Sequence, residues 1–286
     1  MGAGFPDELL AIAVDLARRA ADTAARMRAA GVSAVATKST ATDVVTAADR
    51  AVEREIVETL HRIRPQDTVL GEEYGTGGAG AATGPDPVRW IVDPIDGTVN
   101  YLYGLPHYAV SIAAEVAGVV VAGVVRNPAT GDEWTAVRGG GAYRDGRRLT
   151  GSTETDLRQA LVGTGFGYDP ARRAHQAAVL AGLITQVRDI RRFGAAAIDL
   201  CLAAEGAVDV CYEKGLNAWD DSRAATEARP ALTTVRQSLR DQGYACARAV
   251  LDLSATDPPP TLADRWELVV RESTGRNASG SSVDPP

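Results

Sequence analysis

The chain of 286 residues is 45% hydrophobic and 23% charged, which is ordinary for a globular protein and excludes disorder of the whole chain. Its formal net charge of −7 argues against a surface for nucleic acid or an anionic membrane, because either would need basic residues to neutralise phosphates. No apolar run approaches the roughly 18 residues of a membrane span, and no secretory signal is recognisable. The three cysteines match neither a disulfide framework nor a zinc site. These features predict a cytoplasmic protein that binds neither nucleic acid nor membranes.

Two amphipathic helices are predicted near the start of the chain. Apolar residues recur at helical spacing from about Asp7 to Ala30, and again from Thr46 to about Arg64, where Pro65 ends the pattern. The second helix begins Thr-Ala-Ala-Asp, so Asp49 fits a capping box in its first turn.

Strands dominate the middle of the chain. Short strands are expected at Thr68 to Leu70 and Val88 to Val92, separated by a surface loop rich in glycine and alanine. Antiparallel strands follow from His107 to Arg148, with a last hairpin that turns at Asp145-Gly146. Strands and helices then alternate without the regular rhythm of a doubly wound fold. The pattern favours an α+β or mixed α/β protein whose mixed sheets lie between layers of helices.

The stretch RWIVDPIDGT ends an apolar run in two acids. Pro94 fixes its own φ and favours an extended Asp93, so this carboxylate is held stiffly. Asp96 follows, and Gly97 and Thr98 then open a short helical segment whose free N–H groups suit a phosphate. The alternative is a simple strand end with an Asp-Gly turn.

A second pair of acids, Glu72 and Glu73, follows the earlier short strand. Several carboxylates that converge on one spot repel one another unless a cation is present. Mg²⁺ prefers carboxylate and water oxygens and commonly binds together with a substrate phosphate. Only three histidines occur, none spaced as a ligand pair, which disfavours zinc or non-haem iron. The sequence therefore predicts Mg²⁺ as the cofactor.

Four separated motifs resemble the inositol monophosphatase family of magnesium-dependent, lithium-sensitive phosphatases. In chain order they are Lys38 with TDVVTAAD, GEE, DPIDGTVNY and YEKGLNAWD, and the resemblance covers roughly Asp7 to Asp220. It implies a layered αβαβα sandwich of the sugar-phosphatase type, a homodimer, and hydrolysis of a small sugar or polyol phosphate monoester, with inositol 1-phosphate first. Histidinol phosphate, fructose 1,6-bisphosphate and 3'-phosphoadenosine 5'-phosphate stay open as substrates, and so does a noncatalytic relative that binds metal or phosphate.

The resemblance also implies a metal site made of four carboxylates and one backbone carbonyl. Its members are Glu72, Asp93, Ile95, Asp96 and Asp220.

The same resemblance makes Thr98 and Asp49 the pair that orients and deprotonates the attacking water. The N–H groups of Gly97 and Thr98 bind the phosphate, while Glu213 and Ala196 contact the substrate. Lys38 and Glu73 are secondary residues beside the site. From local sequence alone, Asp49 fits a plain capping acid equally well, Glu213 an exposed charge at a strand end, and Lys38 a surface lysine.

The chain departs from the family pattern just after Asp221. Small residues that should open a helix are replaced by a sequence containing Arg223 and Pro230, and no final apolar strand is recognisable. We interpret residues 1–150 as an N-terminal half with the metal-binding motifs and 151–221 as a C-terminal α/β half. Residues 222–286 are an atypical, partly disordered tail, for which a change of reading frame is one hypothesis.

Overall fold

The computed structural model describes residues 4–32, 35–38, 44–77 and 87–216, and two further short strands near residues 235 and 268. The helices are α1 (Phe5–Ala29), α2 (Ala47–Ile63), α3 (Thr98–Tyr103), α4 (Pro170–Leu183) and α5 (Ala196–Glu205), with a 3-10 turn at Leu157–Gln159. Among the residues described, no helix combines the length and apolar character needed to cross a membrane.

Eight strands form the large mixed sheet, in the order β10-β9-β8-β7-β6-β5-β3-β4. They are β3 (Thr68–Gly71), β4 (Gly75–Gly77), β5 (Val88–Asp96), β6 (Ala109–Val116), β7 (Val119–Arg126), β8 (Glu133–Val137), β9 (Gly141–Arg144) and β10 (Arg147–Arg148). Strands β3 and β5 are parallel, and every other neighbouring pair is antiparallel. The strand pair β1 (Ala36–Thr37) and β2 (Val44–Val45) precedes the sheet.

A smaller sheet of three parallel strands lies in the second half, in the order β12-β11-β13. Its strands are β11 (Leu161–Thr164), β12 (Asp189–Arg191) and β13 (Val210–Tyr212). Because parallel strands need a crossover, α4 connects β11 to β12 and α5 connects β12 to β13. The carboxyl ends of all three strands therefore point to one edge of this sheet.

The layers follow from where apolar faces are buried. Helices α1 and α2 pack on the large sheet, and Leu9, Leu16, Ile56 and Trp90 are among the buried side chains of this core. A second cluster joins α5 to the large sheet, and a third joins the end of α4 to the small sheet. The result is the predicted αβαβα arrangement.

Most predicted elements are confirmed. The two N-terminal helices, the antiparallel strands and the turn at Asp145-Gly146 lie where the sequence places them, and both turn residues have positive φ. Strand β5 is longer than predicted, because it runs through Asp96. The sequence also gave no sign of β4, or of the strand pair β14 (Thr234–Arg236) and β15 (Glu267–Val269) in the atypical tail. The proposed loop centre (78–86) and the rest of that tail lie outside the described residues.

Candidate active site

A buried acid and a buried hydroxyl meet between α2 and α3. The Thr98 hydroxyl lies 3.1 Å from Asp49 Oδ1 and 3.1 Å from the Ile95 carbonyl oxygen, so its single proton has two acceptors. Asp49 is fully buried, and Thr98 is 7% exposed. Burial raises the pKa of Asp49, although hydrogen bonds donated by Thr46 and Thr98 oppose the rise. A carboxylate behind a hydroxyl is an arrangement suited to moving a proton.

The same carboxylate closes the capping box of α2. Asp49 Oδ2 accepts hydrogen bonds from the Thr46 backbone N–H at 2.8 Å and from the Thr46 hydroxyl at 2.5 Å. The capping role uses Oδ2 and the contact with Thr98 uses Oδ1. The two interpretations of Asp49 are therefore compatible, and its predicted catalytic role stays a prediction.

The two acids of strand β5 flank a break in its ladder. Asp93 pairs with Ser111 and Asp96 with Ala109. Strand β5 therefore has one more residue than β6 between these two pairs, which is a β-bulge. Pro94 sits in this bulge, where its missing N–H costs no ladder bond. Both carboxylates are buried, with Asp93 at 1% and Asp96 at 7% exposure. The bulge thus holds two closely spaced acids at the end of a buried strand.

Glu72 reaches the same edge from the neighbouring parallel strand. Gly71 is in register with Val92, so Glu72 leaves β3 at the level where Asp93 follows Val92 in β5. The backbone thus places these two acids on neighbouring strands, as the metal prediction requires.

Lys38 lies between two of the predicted site residues. Its ammonium is 2.6 Å from Glu72 Oε1 and also forms an ion pair with Glu73. Burial lowers the pKa of Lys38, but the two carboxylates outweigh it, and the net shift is upward. Lys38 is thus held by two of the predicted site residues, and its own role at the site stays a prediction.

Glu53 is a functional candidate that the sequence interpretation missed. Its fully buried carboxylate accepts the backbone N–H groups of Glu73 at 2.8 Å and Tyr74 at 2.9 Å, which fixes the turn that carries Glu72. Burial raises the pKa of Glu53, against the effect of these hydrogen bonds. The available signal was spacing, since Glu53 follows Asp49 by four residues and shares its face of α2.

Asp96 ties the large sheet to α5. Its Oδ1 accepts the N–H of Ala196 at 3.1 Å and its Oδ2 accepts the N–H of Ala197 at 2.7 Å. An acid at a helix N-terminus satisfies free N–H groups and is favoured by the helix dipole. Gly97 makes this approach feasible: its φ is +85°, and a Cβ there would lie 3.0 Å from the Ala195 Cβ. The predicted substrate residue Ala196 is therefore beside the predicted metal residue Asp96.

A second missed group supports the segment before α5. The Asn100 side-chain amide donates to the carbonyls of His107 at 2.7 Å and Phe193 at 2.8 Å. The His107 ring stacks on Phe193 with centroids 5.0 Å apart, and its Nε2 lies 3.1 Å from Asp199 Oδ1. Burial raises the pKa of Asp199, against the effect of His107. The sequence signal for the pair of His107 and Asp199 was an acid within the otherwise apolar run AAAIDLCLAA.

The remaining predicted residues lie in the second half. Glu213 follows β13 and is half-buried, while Asp220 lies outside the described residues. Within residues 4–32, 35–38, 44–77 and 87–216, no three His, Cys, Asp or Glu side chains converge closely enough to enclose a metal ion by themselves. The structure thus brings Glu72 and Asp93 to one edge and joins Asp49 to Thr98, and it leaves the complete metal set a prediction.

Comparison with known proteins identifies the fold's relatives. The profile of the inositol monophosphatase family matches residues 6–225. The chain belongs to the inositol monophosphatase family. Members of this family are metal-dependent phosphatases, and the match includes all the predicted site residues.

Two named relatives and one solved structure illustrate the range of the family. The inositol-1-monophosphatase SuhB of Mycobacterium tuberculosis is 46% identical over 205 residues, which is 70% of this chain and 71% of that protein. The Nus factor SuhB of Salmonella typhimurium is 39% identical over 214 residues, covering 74% and 78%. The crystal structure of the extragenic suppressor protein suhB of Bartonella henselae superposes with a TM-score of 0.73 at 34% identity, over 84% of this chain and 91% of that one.

Proposed function

We propose that this chain hydrolyses a small polyol phosphate monoester, inositol 1-phosphate first, with Mg²⁺ as its metal. The observation that carries the proposal is the contact between the Thr98 hydroxyl and the buried Asp49 carboxylate, 3.1 Å long, at the end of the strand that bears Asp93 and Asp96. Through Thr98, Asp49 orients the attacking water and accepts its proton. The first N–H groups of α3, beside Gly97, face the phosphate.

The donors present fit a hard divalent cation in their chemistry. Glu72, Asp93, the Ile95 carbonyl, Asp96 and Asp220 offer only oxygen ligands, which Mg²⁺ prefers. The ion pairs of Lys38 with Glu72 and Glu73 support the proposal only in that they hold these two acids together at the end of β3. When bound, the metal supplies charge neutralisation at the phosphate oxygens.

The substrate half of the site supports a polyol. The start of α5 and Glu213, which follows β13, both lie at the carboxyl edge of the small sheet, where open parallel sheets bind ligands. A carboxylate is suited to accept hydrogen bonds from ring hydroxyls. Histidinol phosphate, fructose 1,6-bisphosphate and 3'-phosphoadenosine 5'-phosphate are the substrates to test against inositol 1-phosphate.

The test is a phosphate-release assay on these four substrates, with and without Mg²⁺, using the full chain. Thr98→Val keeps the side-chain shape and should lower kcat by about 10²–10⁴, the range of proton-transfer catalysis. Thr59→Val is the matched control, because Thr59 is equally buried at 7% exposure but lies on α2, ten residues after Asp49. Absence of Mg²⁺-dependent turnover on all four substrates, or equal loss in both variants, would overturn the proposal.

Two finer features belong to the same proposal. We expect inhibition by lithium and a homodimer, both implied by the family resemblance, and light scattering on the purified chain measures the second.

A noncatalytic role is the second candidate, and the relatives named Nus factor SuhB favour it. Thr98→Val separates the two roles, because it keeps the predicted metal residues: it should lower turnover if the chain is an enzyme, and it should leave binding of Mg²⁺ intact in either case.

A further inference from the structure

Gln176 on α4 is a buried polar side chain with no role in the chemistry proposed so far. It is 5% exposed, although most residues around it on α4 face solvent. Its Oε1 accepts the N–H of Gly167 at 3.0 Å, and its Nε2 lies 3.4 Å from both the Gly165 and the Lys214 carbonyl oxygens. One amide therefore joins two separate loops, the first after β11 and the second after β13.

These two loops lie at the edge of the proposed substrate site. Strands β11 and β13 are parallel, and Thr164 is in register with Tyr212, so both loops leave the carboxyl edge of the small sheet. Helix α5 also begins at this edge, where the Ala196 N–H binds Asp96. The loops held by Gln176 therefore lie at the same edge of the small sheet as the start of α5, which contacts the predicted metal residue Asp96.

The position of Glu213 depends on the first loop. A Cβ at Gly165 would lie 1.8 Å from Glu213 Oε2 and 2.2 Å from its Cδ, so the carboxyl group packs directly on the Gly165 backbone. Glycine is required here for close approach. Any shift of Gly165 relative to Lys214 moves the surface on which the Glu213 carboxylate rests.

A second side chain of α4 strengthens the junction. Arg172 precedes Gln176 by four residues and shares its face of the helix. Its guanidinium Nη1 lies 3.4 Å from the Gly215 carbonyl oxygen, and a Cβ at Gly167 would lie 2.9 Å from its Cδ. Helix α4 thus contacts both loops through two side chains, Arg172 and Gln176, one helical turn apart.

We propose that Gln176 is a positioning residue that sets substrate specificity: by joining the loops at Gly165 and Lys214, it holds the Glu213 carboxylate against the polyol part of the substrate. Its effect is on binding of the polyol part and not of the phosphate, which binds at the end of β5 and the start of α3. This inference rests on the proposed function and names the residue that gives the site its preference for hydroxyl-bearing substrates.

The first test is Gln176→Leu, with Gln186→Leu as the control in the turn just after α4, where the Gln186 amide donates to the Gly182 carbonyl oxygen of the same helix. The KM for inositol 1-phosphate should rise about tenfold with kcat nearly unchanged. With p-nitrophenyl phosphate, which has no polyol hydroxyls, both constants should stay within about twofold. An equal loss on both substrates would show a general structural role and would overturn the inference.

The second test measures the loops directly by hydrogen–deuterium exchange. Gln176→Leu should speed exchange in both loops, whereas Gln176→Glu keeps the acceptor for the Gly167 N–H and loses the donors. In Gln176→Glu, Gly167 should stay protected while the loop at Lys214 exchanges faster. If exchange at Lys214 is unchanged in both variants, Gln176 does not hold the loop at Lys214, and the inference is wrong. An inactive wild-type chain would instead overturn the proposed function, and with it the role of Gln176 in specificity. Hydrogen–deuterium exchange would still show whether Gln176 holds the two loops together.

Discussion

Replacing Gly71 by alanine should release the turn that carries Glu72. A Cβ at Gly71 would lie 1.9 Å from Glu53 Oε1 and 2.4 Å from its Cδ, whereas ordinary contacts begin near 3.4 Å. Glu53 is fully buried on α2, and both its oxygens accept hydrogen bonds, from the N–H groups of Glu73 and Tyr74. The methyl group must therefore push the carboxylate out of at least one of these two bonds.

The expected destabilisation is several kcal/mol. A hydrogen bond to a charged group contributes about 1.5–3 kcal/mol, and overpacking adds about 1–3 kcal/mol. The lower entropy of the unfolded alanine chain offsets about 0.4–1 kcal/mol. With one hydrogen bond lost, the free energy of unfolding should fall by about 2–5 kcal/mol.

Urea denaturation of purified variants measures this free energy. Gly163→Ala is the matched control, because Gly163 also lies in a strand and its Cβ would meet Cys211 Sγ at an ordinary 3.5 Å. A double-mutant cycle with Glu53→Ala then isolates the contact: removing the carboxylate should remove most of the cost of Gly71→Ala. Two results would contradict the assignment of Glu53 as support for the turn. One is a free energy of unfolding for Gly71→Ala equal to that of Gly163→Ala. The other is an equal loss of stability from Gly71→Ala in the wild-type chain and in Glu53→Ala.

Three further substitutions test other parts of the same framework. Thr46→Ala should lower the free energy of unfolding by about 1 kcal/mol, since it removes the hydroxyl that caps α2 and donates to Asp49, while the backbone N–H at position 46 still donates and Thr46→Ser should retain most of the stability. Trp90→Phe should cost about 1–3 kcal/mol in urea denaturation, because the buried indole N–H donates to Asp67 Oδ2 at 2.8 Å, and a change below about 0.5 kcal/mol would contradict this. Asn100→Leu leaves two carbonyl oxygens without their amide donor, so kcat should fall more than after Thr59→Val, as measured by phosphate release.

Local signals predicted the elements near the site well. The capping box at Thr46 and Asp49, the stiff Asp-Pro pair of β5 and the short helix after Gly97 each depend on residues within a few positions of one another. Such features are set by backbone preferences and periodicity, which a single sequence displays. Strand β4, by contrast, is Gly-Thr-Gly and has no strand propensity of its own, so it exists only through pairing with β3.

The supporting contacts were beyond the reach of the sequence for a different reason. Glu53 and the Glu73 N–H are 20 positions apart, Asp96 and Ala197 are 101 apart, and Gln176 and Lys214 are 38 apart. Their function is to satisfy backbone groups, so the partner residue leaves no chemical signature in the sequence. Resemblance to a family names the residues that do chemistry, and only geometry shows what holds them.

Asp96 shows why the two halves of the molecule must be considered together. It ends the strand that bears the predicted metal residues, yet both its oxygens already bind N–H groups of α5, which belongs to the substrate half. Each carboxylate oxygen has a further lone pair, so coordination of a cation is compatible with these bonds. A cation held by Asp96 would then also fix the start of α5 and, with it, Ala196, the predicted substrate residue. Metal binding and substrate binding should therefore be coupled in this chain, because one carboxylate serves both.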